Sequence, residues 1–127
     1  MRLGKRQKQW IKDIPLYRQA HEVLCDGNGY CCLGVYAATQ IESPWENTDT
    51  KSWGYSNTSG SSCVMLLDAD WKNLGLRNNS GTFKRSIFWK SKSYGSLIAL
   101  NDSYKITTEE MSQFIKDNAD NIFTKTA

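Results

Sequence analysis

Four cysteines and a single histidine are the residues of this chain with the most obvious chemistry: Cys25, Cys31, Cys32, Cys63 and His21. Thiolates with an imidazole can bind zinc, and a thiol beside a base can act as a nucleophile. The spacing fits neither. There is no Cys-x-x-Cys pair, and adjacent cysteines on a strand point to opposite faces. A triad of Cys31 or Cys32 with His21 and Asp102 lacks any surrounding signature, and His21 would have to be its base. Adjacent Cys31 and Cys32 do not readily form a disulfide either. Small buried residues are the simpler reading of the thiols. Gly27-Asn28-Gly29 lacks the Lys-Ser/Thr of a phosphate loop and reads as a turn. The expectation is therefore no catalytic set, no metal and no cofactor.

A second group of residues suits recognition. Tyr17-Arg18-Gln19 joins an aromatic, a cation and an amide, and Trp53 lies in a polar stretch with Trp45 and Tyr55. An aromatic can stack a base while a neighbouring cation meets a phosphate. Asn101-Asp102 can read a sugar or a base edge, or can close a turn through an Asx bond. For Trp53 the competing role is packing beneath a long loop. The expected ligand-binding set is Tyr17, Arg18, Gln19, Trp53, Asn101 and Asp102.

These residues need elements to position them. Residues 4–14 read as a short amphipathic helix with Trp10, Ile11 and Ile14 on its apolar stripe, stopped by Pro15. Residues 23–32 read as a β-hairpin around Asp26-Gly27-Asn28-Gly29, with Cys25 opposite Tyr30 and Leu24 opposite Cys31. Residues 33–40 are apolar almost all round, as in a buried helix, and Gly34 there implies close backbone approach. Residues 42–62 form a long polar loop. A strand follows at 63–67, then a helix from Asp68, its cap, to Asn73, with Gly75 at C′. Asn78-Asn79-Ser80-Gly81 is a turn, residues 82–89 a strand and 95–100 a short helix. Thr107 and Glu110 form a capping box, with Ile106 and Met111 as its staple. Met111, Phe114 and Ile115 are the buried stripe of the last helix, and 119–127 reads as a fraying tail. Together these define a small α+β domain: a hairpin or short antiparallel sheet packed against N-terminal, central and C-terminal helices.

The chain has 127 residues, the length of one domain, and a formal net charge of +3. Mild basicity permits an anionic partner, whereas a DNA mimic would need a dense acidic surface. No apolar segment follows the basic start, and no run is long enough to span a membrane. The expected compartment is the cytoplasm, with the thiols reduced.

Cys31-Cys32-Leu33-Gly34-Val35, preceded by Tyr17-Arg18-Gln19 and a turn, and Leu100-Asn101-Asp102 just before a terminal helix, resemble small phage- and prophage-encoded proteins carrying the same two motifs in that order. The resemblance covers about half of the chain and leaves out 42–89. It implies a phage accessory protein working in the host cytoplasm, and brings no activity with it. The expected function is capture of a small anionic, nucleotide-derived ligand, such as a host-defence signal. The alternatives are an interaction module that inhibits a host enzyme and a small thiol- or nucleotide-hydrolysing enzyme. Homo-oligomers are compatible with capture. Nucleic acid is not an expected partner of so diffuse a charge, and neither is a membrane.

Overall fold

A computed structural model describes residues 1–22, 24–26, 28–41, 45–46, 55–56 and 66–127. It shows an α+β domain. In chain order the elements are α1 (Lys5–Asp13), a 3-10 turn (Ile14–Leu16), α2 (Cys32–Gln40), β1 (Trp45–Glu46), β2 (Tyr55–Ser56), α3 (Asp68–Leu74), β3 (Thr82–Trp89), β4 (Lys92–Ser96), α4 (Leu97–Asn101), α5 (Thr108–Asp117) and α6 (Ala119–Ile122). β1 and β2 form a short parallel pair, and β3 and β4 an antiparallel hairpin.

Helix α1 starts where the Gln7 side chain accepts from the Gly4 N–H at 3.0 Å, half of a capping box. Its buried face carries Gln7, Trp10 and, one turn on, Ile14. Gln7 is fully buried because its amide donates to the carbonyls of Leu74 and Lys125, at 3.1 and 2.8 Å. It thereby ties α1 to the end of α3 and to the C-terminal segment. Trp10 donates to the Cys32 carbonyl at 2.7 Å and meets Phe123 edge-on.

Helix α2 is buried from Cys32 to Ala37. A Cβ on Gly34 would lie 1.9 Å from the Leu24 carbonyl oxygen, so only glycine lets the two backbones approach this closely. Helix α5 has the full capping box: Glu110 N–H to Thr107 Oγ1 at 3.1 Å, and Thr107 N–H to Glu110 Oε1 at 3.0 Å. Met111, Phe114 and Ile115 turn inward from it, and Ile106 joins the same core.

Several elements differ from the sequence reading. Among the described residues of the expected hairpin, the register is as expected, with Cys25 bridged to Tyr30 and the Cys31 N–H on the Leu24 carbonyl at 3.1 Å, but these residues form isolated bridges and no strands. The cause is Cys31, which serves as the N-cap of α2: its sulfur accepts from the Gly34 N–H at 3.3 Å, and the helix begins at Cys32. The hairpin of the domain is β3–β4 instead. Gly95 belongs to β4, because the Ser96 hydroxyl caps α4 through the Ala99 N–H at 3.1 Å and delays the helix to Leu97. Asp68 is the first residue of α3 and not its cap; its carboxylate accepts from the Trp71 indole at 3.2 Å. Leu66 and Leu67 are not in a strand, and 63–65 lie outside the described residues. The segment 119–127, read as fraying, begins with α6 and is held by backbone bonds from Thr124 to Gly75 at 2.7 Å and from Gln7 to Ala127 at 3.1 Å.

Candidate functional site

The segment around Gln19 and the start of α2 meet in space at Asn101, which is 1% exposed. Its Oδ1 accepts from the Cys32 N–H at 3.3 Å and from Gln19 Nε2 at 3.2 Å. Its Nδ2 donates to the Ala20 carbonyl at 2.9 Å and to Asp102 Oδ1 at 3.1 Å. An amide has two acceptor lone pairs and two donor hydrogens, and all four are engaged within the protein. Asp102 Oδ1 also accepts from the Glu22 N–H at 2.8 Å, and Glu22 has a left-handed φ of 68°. Asn101 is thus a positioning residue that fixes the start of α2, the segment 19–22 and its own helix end; Gln19 and Asp102 belong to the same junction.

Tyr17 and Arg18 stand on the outer side of that segment. Tyr30 pins it on both sides, its N–H on the Arg18 carbonyl at 2.8 Å and its carbonyl on the Ala20 N–H at 2.9 Å. The Tyr17 and Tyr30 rings meet edge-on at 5.5 Å, leaving Tyr17 36% exposed, and Arg18 is exposed. The expected set is therefore partly united: Gln19, Asn101 and Asp102 are joined by hydrogen bonds, Tyr17 and Arg18 flank them, and Trp53 lies outside the described residues.

The thiols are poorly suited to nucleophilic chemistry. Cys31 and Cys32 are buried. Burial pushes the Cys31 thiol up to about 12, with the neighbouring backbone N–H groups opposing it only in part. Burial raises Cys32 as well, helped by the adjacent Cys31. Only the thiolate attacks or binds metal, and at neutral pH both groups are protonated. His21 stacks on Tyr104 with ring centres 3.8 Å apart, and its Nε2 is buried without a hydrogen-bond partner. Among the described residues no group of His, Cys, Asp and Glu is arranged to hold a metal ion. Cys63 lies outside them.

The residues that sequence reasoning missed are on α1. Arg2, Lys5, Lys8 and Lys12 line a groove of about 590 Å³ that also takes in Leu3, Gln9 and Thr126. Lys5, Lys8 and Lys12 recur at helical spacing on one face, and their span of seven residues is roughly 10 Å along the axis. All four cations are exposed. The ion pairs among the described residues are Met1 amino group to Asp120 and Lys90 to Glu110, so none neutralises this groove. A second cavity of about 430 Å³ shares Leu3, Lys8 and Lys12 and runs past Ile11 and Pro15 to α5. The signal was present in the sequence as Lys and Arg on the polar face of the first helix. It read as an ordinary solvated face because nothing local showed that a groove runs along it.

No family model, no curated protein and no solved structure matches the chain.

Proposed function

We propose that the protein is a non-enzymatic binding protein that captures a small anionic, nucleotide-derived ligand, with α1 as its principal contact. The setting is the phage accessory role implied by the two motifs, in the host cytoplasm, and a host-defence signal is the ligand class that fits such a role. The observation that supports this most is the groove with Arg2, Lys5, Lys8 and Lys12 around it and, among the described residues, no carboxylate paired to any of them. Clustered like charges repel one another, and a bound polyanion relieves that repulsion while gaining charge-assisted hydrogen bonds. The adjoining cavity, walled by Leu3, Ile11 and Pro15, offers apolar surface to a ring attached to the phosphates. Tyr17 and Arg18, both exposed just after the turn at Pro15, line neither cavity and serve as a secondary contact.

Native mass spectrometry of the purified protein with a panel of linear and cyclic nucleotides tests this reading. A discrete mass shift with the nucleotide intact is the expected result, and the shift also gives stoichiometry and subunit count. No shift with any nucleotide would overturn it and favour the alternative, a module that inhibits a host enzyme.

A further inference from the structure

The hairpin β3–β4, residues 82–96, contains no acidic residue, yet carries Lys84, Arg85, Lys90 and Lys92 among four aromatics, Phe83, Phe88, Trp89 and Tyr94. The register pairs Ile87 with Tyr94 and Phe88 with Ser93. Residues paired directly across an antiparallel ladder share a face, and successive residues alternate. Tyr94 and Phe83 are buried in the core, so Phe88 and Ser93 face outward.

Phe88 is 72% exposed. Its neighbours on that face are Ser86, two residues before it, and Ser93 and Gly95 on the partner strand, all exposed. A Cβ on Gly95 would meet nothing within 4 Å. A lone aromatic ring therefore stands over a floor of side chains no larger than a hydroxymethyl group. Lys84 and Arg85 border it at one end, where Asn121 holds the irregular strand through both Arg85 backbone groups, at 2.7 and 2.8 Å. At the other end is the two-residue turn Lys90-Ser91. Both residues have positive φ, 45° and 70°, as a type I′ turn requires, although Asn-Gly is the sequence that adopts it without strain. Two carboxylates of α5, Glu110 and Asp117, line a cavity of about 340 Å³ with Phe88; Glu110 is ion-paired with Lys90 at 2.7 Å, and Asp117 accepts from the Gln113 amide at 2.7 Å.

We infer that the outer face of β3–β4 is a binding surface for single-stranded nucleic acid, independent of the α1 groove. An unstacked base lies on the Phe88 ring over Ser86, Ser93 and Gly95. The flanking phosphates meet Lys84 and Arg85, whereas Lys90 is held by Glu110 and Lys92 lies over the Tyr94 ring on the opposite face. Single strands fit because their bases present free π faces, whereas a duplex hides them. The chain-wide net charge of +3 averages over this local concentration of cations.

Fluorescence anisotropy with a labelled oligothymidylate of about a dozen nucleotides tests the inference on the full chain. Binding should weaken with salt at a log–log slope of roughly −1.4, for about two phosphate contacts on a single strand. Phe88→Ala removes an exposed ring, so the fold should survive, and affinity should fall roughly five- to a hundredfold. Lys84→Gln with Arg85→Gln should lower both the affinity and the salt slope. Lys8→Glu, in the α1 groove, should leave oligonucleotide binding within about twofold, which keeps this inference separate from the nucleotide-capture reading. No binding at 50 mM salt, equal affinity for a duplex, or an unchanged affinity of Phe88→Ala would each overturn it. So would a concentration-dependent dimer that Phe88→Ala dissolves while no oligonucleotide binds, since Phe88 would then be covered by a second copy of the chain.

Discussion

Two polar regions of this molecule behave in opposite ways. At Asn101 every donor and acceptor of the side chain is engaged by Gln19, Ala20, Cys32 and Asp102. Along α1, the cationic ends of Arg2, Lys5, Lys8 and Lys12 face a groove with no paired carboxylate among the described residues. Both regions contain residue types that recognise ligands. A saturated, buried amide has nothing left to offer a ligand and a large penalty if disturbed. An unsaturated, exposed cluster has little structural role and strong electrostatic reach. Polar residue type alone does not separate the two; the state of the hydrogen bonds does.

The sharpest way to break this comparison is to remove the saturated side. Asn101→Leu strands the Cys32 N–H and the Ala20 carbonyl in the interior and leaves the half-buried Gln19 amide only a 3.4 Å bond to the backbone carbonyl of residue 101. At about 1–3 kcal/mol for each unsatisfied buried group, the loss should reach about 3 kcal/mol or more, read as a lowered midpoint in urea. If Asn101→Leu kept full stability and lost only ligand binding, Asn101 would be a contact residue and the comparison would fail.

Gly34→Ala should follow closely. The new Cβ would meet the Leu24 carbonyl, and overpacking of this kind costs about 1–3 kcal/mol. The junction of α2 with the segment before it would then loosen, and hydrogen exchange at Cys31 and Cys32 should quicken.

The thiols give a pH signature. Cys31 has its folded pKa raised by burial, to about 12, against about 8.5 for an unfolded cysteine. The stability linked to it is complete below the unfolded value and declines as pH rises from there towards the folded value. A denaturation series from pH 8 to 11 should show the decline, approaching roughly 1.4 kcal/mol per unit for each such thiol. Iodoacetamide at pH 8 should label Cys31 and Cys32 only on the unfolding timescale; rapid labelling of either in the native protein would show an accessible thiolate instead.

Smaller still is the helix cap. Thr107→Ala should cost about 1 kcal/mol, visible as a modest drop in melting temperature, with no effect on either binding surface.

The elements legible in the sequence were those whose causes are local. The capping box Thr107–Glu110, the strand 82–89, the Asn78–Gly81 turn and the register of Cys25 against Tyr30 all follow from residues within a few positions of one another. The missed features depend on distant partners. Cys31 caps a helix although cysteine is not a preferred cap residue, and the Cys32 N–H is drawn to Asn101, 69 positions away. Gln7 reads as surface polar until Leu74 and Lys125 come to it. At the site, Asn101-Asp102 read first as an Asx-type closure and second as a ligand contact, and only the full set of bonds separates these roles. The α1 groove was invisible because grooves are made by neighbours.

The most direct test of capture at α1 is an equilibrium titration of a nucleotide triphosphate into wild-type protein, the Lys8→Glu/Lys12→Glu double variant and Arg18→Ala. Both lysines are exposed, so stability should change by no more than about 0.5 kcal/mol. We expect affinity to fall at least tenfold in the double variant and only a few-fold in Arg18→Ala. Undiminished binding by the folded double variant would contradict the account and return the site to Tyr17 and Arg18.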